Sequence, residues 1–251
     1  MTEACKIDVR NRRVYDPLTN FDLFRNNGGV MRFAFAIVMF ALWAGPVGSG
    51  PWPREQGKTF LSFQSILRVD PKDVGAGFGT LSTFYGERGL ARGYTLGFQG
   101  VIDEVRNADG ILFLRVPVTT KSKDLKLAYQ LGAGFDGREG ALAQLGVSVG
   151  RGLKTRWGHG WATIDTQVQY RIEHGEAAFK ADFAFGVSHG ERDKYIFQIQ
   201  SGRYPGEHPH ARFAPSYVRK VNDIQRIEIG AEFGLVNEQF VGLRFGSWLE
   251  F

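Results

Sequence analysis

Cysteine is almost missing from this chain. Cys5 is the one example, and it lies upstream of an apolar segment that reads as a leader. A chain cut after that leader has no disulfide, no thiol nucleophile and no Cys-based metal site. Long apolar runs are missing too. Residues 33–44 form the most apolar stretch, shorter than the roughly 20 residues a helix needs to cross a bilayer. Sustained 3.6-residue periodicity is absent after residue 57, which argues against a helical domain. No glycine-rich phosphate loop and no paired-cysteine motif occurs, so no cofactor and no metal are expected. Charged residues make up only 23% of the chain, with both signs interspersed and no Lys/Arg cluster. The net charge of +5 therefore gives no case for nucleic acid.

What is present begins with Met31-Arg32, a short basic start to the apolar run. Gly45-Pro46 breaks it, and Val47 and Ser49 supply the small residues of a cleavage site. This is the three-part layout of a secretory signal, with cleavage expected between Ser49 and Gly50. Residues 1–30 are polar and irregular, and read as an extension from an upstream start, with Met31 as the true one. The alternative is a genuine N-terminal extension with the apolar run as an anchor or buried helix. The expected organisation is thus residues 1–30 as that extension, 31–49 as signal peptide and 50–251 as one domain.

After residue 57 the dominant pattern is alternation, the mark of strands with two different faces. Val241, Leu243, Phe245, Ser247, Leu249 and Phe251 alternate with Gly242, Arg244, Gly246, Trp248 and Glu250. Leu125, Leu127, Tyr129, Leu131, Ala133 and Phe135 alternate with Lys126, Ala128, Gln130, Gly132, Gly134 and Asp136. Several such runs have the 9–11 residues or so that a tilted strand needs to span a hydrocarbon layer. Twelve strands are expected, at 58–68, 79–87, 92–102, 111–119, 125–136, 141–151, 161–173, 178–189, 194–203, 212–220, 224–235 and 239–251. Turn signals such as Asp70-Pro71, Glu87-Arg88-Gly89 and Asn222-Asp223 separate them.

Alternation alone does not distinguish a soluble β-domain from a membrane barrel. In the first the apolar face points into the core; in the second it meets lipid and the polar face lines a lumen. The leader, the glycines and charges that share the polar face, and a chain that stops in phase with its apolar face favour the membrane form. The fold class expected is all-β, an antiparallel transmembrane β-barrel of about twelve strands. The polar phase then makes Lys126, Gln130, Asp165, Gln167, Gln169, Arg171, Lys180, Asp182, Gln198, Gln200, Glu228, Glu232 and Arg244 candidate lumen-lining residues. Trp157, Trp161, Tyr170, Tyr195, Tyr204 and Trp248 fall near strand ends and are candidates for interfacial girdles.

The C-terminal pattern Arg244-x-Gly246-x-x-Leu249-x-Phe251 resembles the assembly signal of Gram-negative outer-membrane barrels. That resemblance implies location in the outer membrane, contact with its lipid and recognition by the barrel-assembly machinery. A second segment, Tyr85-Gly86-Glu87-Arg88-Gly89-Leu90-Ala91-Arg92-Gly93-Tyr94-Thr95-Leu96-Gly97, is similar to a strand–turn–strand unit of channel-like outer-membrane proteins, including some associated with uptake of aromatic compounds. It implies a channel and names no solute or oligomeric state.

No catalytic residue is expected. Outer-membrane lipid hydrolases set a Ser two residues from a His on one strand face, and no His-x-Ser occurs. Ser188 and His189 are neighbours and point to opposite faces. His159, His174 and His189 read as strand-end residues, and His208-Pro209-His210 as part of an outer loop. The expected activity is passive passage of small solutes. The rivals are a lipid-modifying enzyme and a plugged barrel whose charges pair across the lumen, with Asp165 and Arg171, Lys180 and Asp182, and Glu228, Glu232 and Arg244 as possible partners. Even strand number puts the connections near 88–91, 120–124, 152–160, 190–193 and 221–223 on the periplasmic side. The length of 152–160 is out of keeping with short periplasmic turns.

Overall fold

The computed structural model describes residues 50–251 except 74, 76, 104–106, 121, 123 and 138–139. The expected extension and signal peptide, residues 1–49, lie outside the described residues.

Each alternating run becomes one strand. They are β1 (Thr59–Val69), β2 (Gly79–Gly89), β3 (Thr95–Asp103), β4 (Ala108–Val118), β5 (Leu125–Asp136), β6 (Gly140–Thr155), β7 (Gly158–Arg171), β8 (Glu176–His189), β9 (Asp193–Arg203), β10 (His210–Lys220), β11 (Gln225–Val236) and β12 (Val241–Glu250). Every strand pairs antiparallel with its sequence neighbours, and β12 returns to β1 from Phe60↔Glu250 to Val69↔Val241. The sheet is therefore a closed barrel without free edges. Its terminal end carries Thr59 and Glu250, where the first strand begins and the last strand ends; the other is the opposite end.

The two faces are inverted relative to a soluble protein. Leu145 is 61% exposed and Leu112 59%, whereas Glu232 is 1% exposed and Arg244 3%. Burying carboxylates while leaving leucines bare is unfavourable in water and favourable in lipid. The chain is thus a transmembrane barrel with an apolar outer band and a polar lumen. Two outward hydroxyls obey the same rule. Thr166 donates to the Val147 carbonyl at 3.1 Å and Ser201 to the Ala181 carbonyl at 2.6 Å, so neither is left unpaired toward lipid.

Two expectations are corrected. The long connection at 152–160 does not exist, because β6 and β7 continue through it as a hairpin. Only Arg156-Trp157 turn between them. Thr155 Oγ1 donates to the Gly158 carbonyl at 2.8 Å, and Gly158 takes φ of 136°, a value glycine alone adopts readily. The aromatic girdle also loses three members. The Tyr204 ring centre lies 5.6 Å from the Arg171 guanidinium and 5.8 Å from the Lys180 amine, both inward residues. Trp161 and Trp248 lie on the inward face. Trp161 covers Gly186 so closely that a Cβ there would meet the indole at 2.1 Å, and Trp248 donates to Glu228. Trp157, Tyr170 and Tyr195 are exposed on the outside.

Candidate functional site: the barrel lumen

Two buried clusters and one half-open wall make up the lumen. The first cluster straddles the seam where β12 meets β1. Gly242 and Gly246 face inward on β12, flanked by Arg68 and Gln64 on β1 and by Glu232 and Glu228 on β11. Without side chains on those two glycines, the flanking residues reach each other over β12. Arg68 donates to Glu232 at 2.8 Å and Gln64 to Glu228 at 2.7 Å. Arg244 donates to Glu232 from the other side and lies 3.8 Å from Glu228. Trp248 Nε1 completes Glu228 at 2.9 Å. Arg244 also donates to Gln198 on β9 at 3.1 Å, a chord across part of the lumen.

A Cβ at Gly246 would sit 3.0 Å from Gln64 Cγ and 3.1 Å from the Phe63 carbonyl. Gly246→Val is expected to cost about 1–3 kcal/mol through overpacking. Urea unfolding in detergent, followed by tryptophan fluorescence, measures it; an unchanged midpoint would show that the seam has spare room.

The second cluster lies nearer the terminal end. Glu87 on β2 is 3% exposed and accepts from Arg115, Arg54 and the Tyr85 hydroxyl. Arg115 also donates to Tyr85 at 3.0 Å. A neighbouring layer of amides crosses from β3 to β6, where Gln144 accepts from Gln99 at 3.1 Å and from Gln169 at 2.9 Å.

Arg54 belongs to no strand. Gly57 donates to the Gly89 carbonyl at 2.9 Å and Gly89 to the Lys58 carbonyl at 2.9 Å, which clamps this stretch to the end of β2. From there the preceding residues enter the lumen. Arg54 donates twice to Glu87, at 2.9 and 2.6 Å, with its guanidinium 4.8 Å from the Phe60 ring centre. Pro51 is fully buried. A Cβ at Gly150 on β6 would meet Pro51 Cγ and Trp52 Cη2 at 2.7 Å, and one at Gly50 would meet Thr163 Cγ2 on β7 at 2.9 Å. Since β7 is six strands from β1 in either direction, residues 50–58 reach from one wall to the opposite one.

The wall formed by β7, β8 and β9 is less filled. Asp165, Asp182 and Gln200 lie side by side in register, and Gln167 faces Lys180 one step along. All five are half-buried. Asp165 accepts from Ser148 and Thr163. Toward the opposite end, Arg171 donates to Asp136 at 3.1 Å and Arg212 to Glu238 at 2.7 Å. Burial pushes the Glu238 carboxyl up, and the Arg212 guanidinium beside it partly offsets that.

All the residues expected to line the lumen take the inward phase. Gln130, Gln169, Arg171, Glu228, Glu232 and Arg244 are buried in contacts, while Lys126, Asp165, Gln167, Lys180, Asp182, Gln198 and Gln200 keep partial exposure. The pairings possible in a plugged barrel hold for Glu228, Glu232 and Arg244. They fail for Asp165 and Arg171: Arg171 takes Asp136, and Asp165 faces Asp182. Of the C-terminal motif, Gly246 and Arg244 lie in the seam, and Phe251 exchanges backbone hydrogen bonds with Thr59 at 2.6 and 3.0 Å. Leu249 sits on the outward phase beside Leu61. Sequence reasoning missed Arg54, Gln64, Arg68, Glu87 and Arg115. The alternation of β1, β2 and β4 already carried the last four.

His159, His174, His189 and His208 are exposed, and His210 stacks on Tyr204 with ring centres 5.7 Å apart. Among the described residues no group of three potential metal ligands occurs.

No protein-family model and no curated protein matches the chain in sequence. Solved structures match its fold. The KdgM porin aligns with a TM-score of 0.57 at 6% identity, over 76% of this chain and 99% of that one. The NanC porin aligns with a TM-score of 0.57 at 9% identity, over 75% of this chain and 98% of that one. At such identity the likeness carries architecture and no residue role. The chain has the fold of the outer-membrane channel barrels, closed by twelve antiparallel strands around a charged lumen.

Proposed function

We propose that this protein is a passive outer-membrane channel for small hydrophilic solutes. One observation carries the reading: the wall of β7–β9 presents Asp165, Gln167, Lys180, Asp182 and Gln200 as a half-buried polar row, whereas Glu87 and Glu232 are buried in ion-paired clusters. A structural barrel gains nothing from leaving two carboxylates directly opposite each other; a solute path does. The likeness to porins supports the same reading. Export through a signal peptide cleaved after Ser49 and insertion by the barrel-assembly machinery belong to it, and they place the terminal end in the periplasm.

Conductance in planar bilayers tests the proposal. Asp165→Asn with Asp182→Asn is expected to shift the reversal potential under a salt gradient toward anions, because the row then keeps Lys180 and loses both carboxylates. An unmoved reversal potential would remove this wall from the conduction path. A second reading, a closed structural barrel, is favoured by residues 50–54 in the lumen. It requires that no form of the protein conducts.

A further inference from the structure

We infer that residues 50–54 are a gate across the periplasmic mouth of the channel, closed as the structure shows it and opened by release from β6 and from Glu87. The inference rests on the channel reading and adds the element that governs it.

The segment is held in two ways. Its root is fixed, because Gly57, Lys58 and Gly89 share backbone hydrogen bonds. Gly89 belongs to that fit, since a Cβ there would lie 2.0 Å from the Glu55 carbonyl. Its tip is held differently. Pro51 and Trp52 rest against Gly150, and Gly50 against Thr163, with van der Waals contact in place of a strand ladder. Between root and tip the polar contacts of the described residues are at Arg54: its guanidinium donates twice to Glu87, and its backbone N–H donates to Thr95 Oγ1 at a long 3.5 Å. An element with a fixed root, one charged latch and an apolar tip against a glycine can swing without unfolding the barrel.

The latch site keeps its own structure when Arg54 leaves. Glu87 retains Arg115 and the Tyr85 hydroxyl, so no carboxylate is stranded in a low-dielectric place. The seam cluster around Glu232 differs, because both of its cations sit on strands of the closed barrel. The removable cation is the one on the segment that crosses the mouth. Lys194 also interacts electrostatically with Arg226, Glu250 and Arg54.

Two sets of variants test this in protein processed and folded by the cell. In the first, Pro51→Ala, Trp52→Ala and Arg54→Ala together are expected to raise single-channel conductance several-fold over the unaltered chain. In the second, Pro51→Cys is paired with Gly150→Cys, with Cys5→Ser removing any other thiol. The closeness of Pro51 to a Cβ at Gly150 suits a disulfide. Oxidation is expected to form it, measured by mass, and to hold conductance at its low level until reductant is added. Failure of the disulfide to form in the folded barrel overturns the seating of the segment. Equal conductance of the triple variant and the unaltered chain overturns the gate and leaves the channel standing. No conductance from any form removes the channel and the gate together, while the disulfide yield still reports where the segment sits.

Discussion

Glu232→Ala is expected to lower the unfolding free energy of the barrel by about 3–5 kcal/mol, the usual cost of stripping one partner from buried ions. Glu232 is shared by Arg68 on β1 and Arg244 on β12, and its side chain is 1% exposed. Its loss takes from both guanidiniums the carboxylate they share, leaving Arg244 the more distant Glu228 at 3.8 Å. It also removes the link that joins β1 to β11 over Gly242, at the one place where the first and last strands meet. Glu232→Gln should cost less, because the amide oxygen still accepts one hydrogen bond. Equilibrium urea titration in detergent gives both values, with Glu176→Ala, on an exposed residue, as control. A change for Glu232→Ala within about 0.5 kcal/mol, the range of ordinary surface substitutions, would show that the cluster adds nothing to closure.

Ile199→Arg and Gln200→Arg are expected to give opposite results from neighbouring positions. Ile199 is 44% exposed on the outer face of β9, and Gln200 is turned to the lumen beside Asp182. A guanidinium on the lipid face near the bilayer centre costs about 2–4 kcal/mol in barrels of this kind. The same group at Gln200 stays in a polar space and can pair with Asp182, so stability should hold while ion selectivity moves toward anions. Unfolding in lipid vesicles measures the first effect, and the reversal potential of reconstituted channels the second. If Ile199→Arg is neutral and Gln200→Arg unfolds the protein, the assignment of faces is wrong.

The assignment of faces was legible because it is local. Successive side chains of a strand point to opposite sides, so Leu131 and Gln130 were separable by parity alone. Strand number came through for the same reason, although β6 and β7 ran further than turn-like glycines suggested. Gly152, Gly158 and Gly160 read as a loop; in the barrel Gly152 pairs with Trp161 and Gly160 with Leu153, as parts of a hairpin.

Partners inside the lumen were not legible. Arg68 and Glu232 are 164 positions apart, as are Gln64 and Glu228. They meet because the sheet closes in one register and because Gly242 and Gly246 are bare. Parity marks such residues as inward but not which of them touch. Arg171 shows the difference, since Asp165, on the same face of its own strand, is not its partner.

By itself the sequence determined a twelve-stranded barrel with an apolar outside and a charged inside, because period and composition are properties of each strand alone. The tertiary structure decided which charges cancel, which stay only half-buried, and that residues 50–54 lie across the lumen. Those outcomes depend on closure, register and the empty space above particular glycines, and none of these exists until the last strand has met the first.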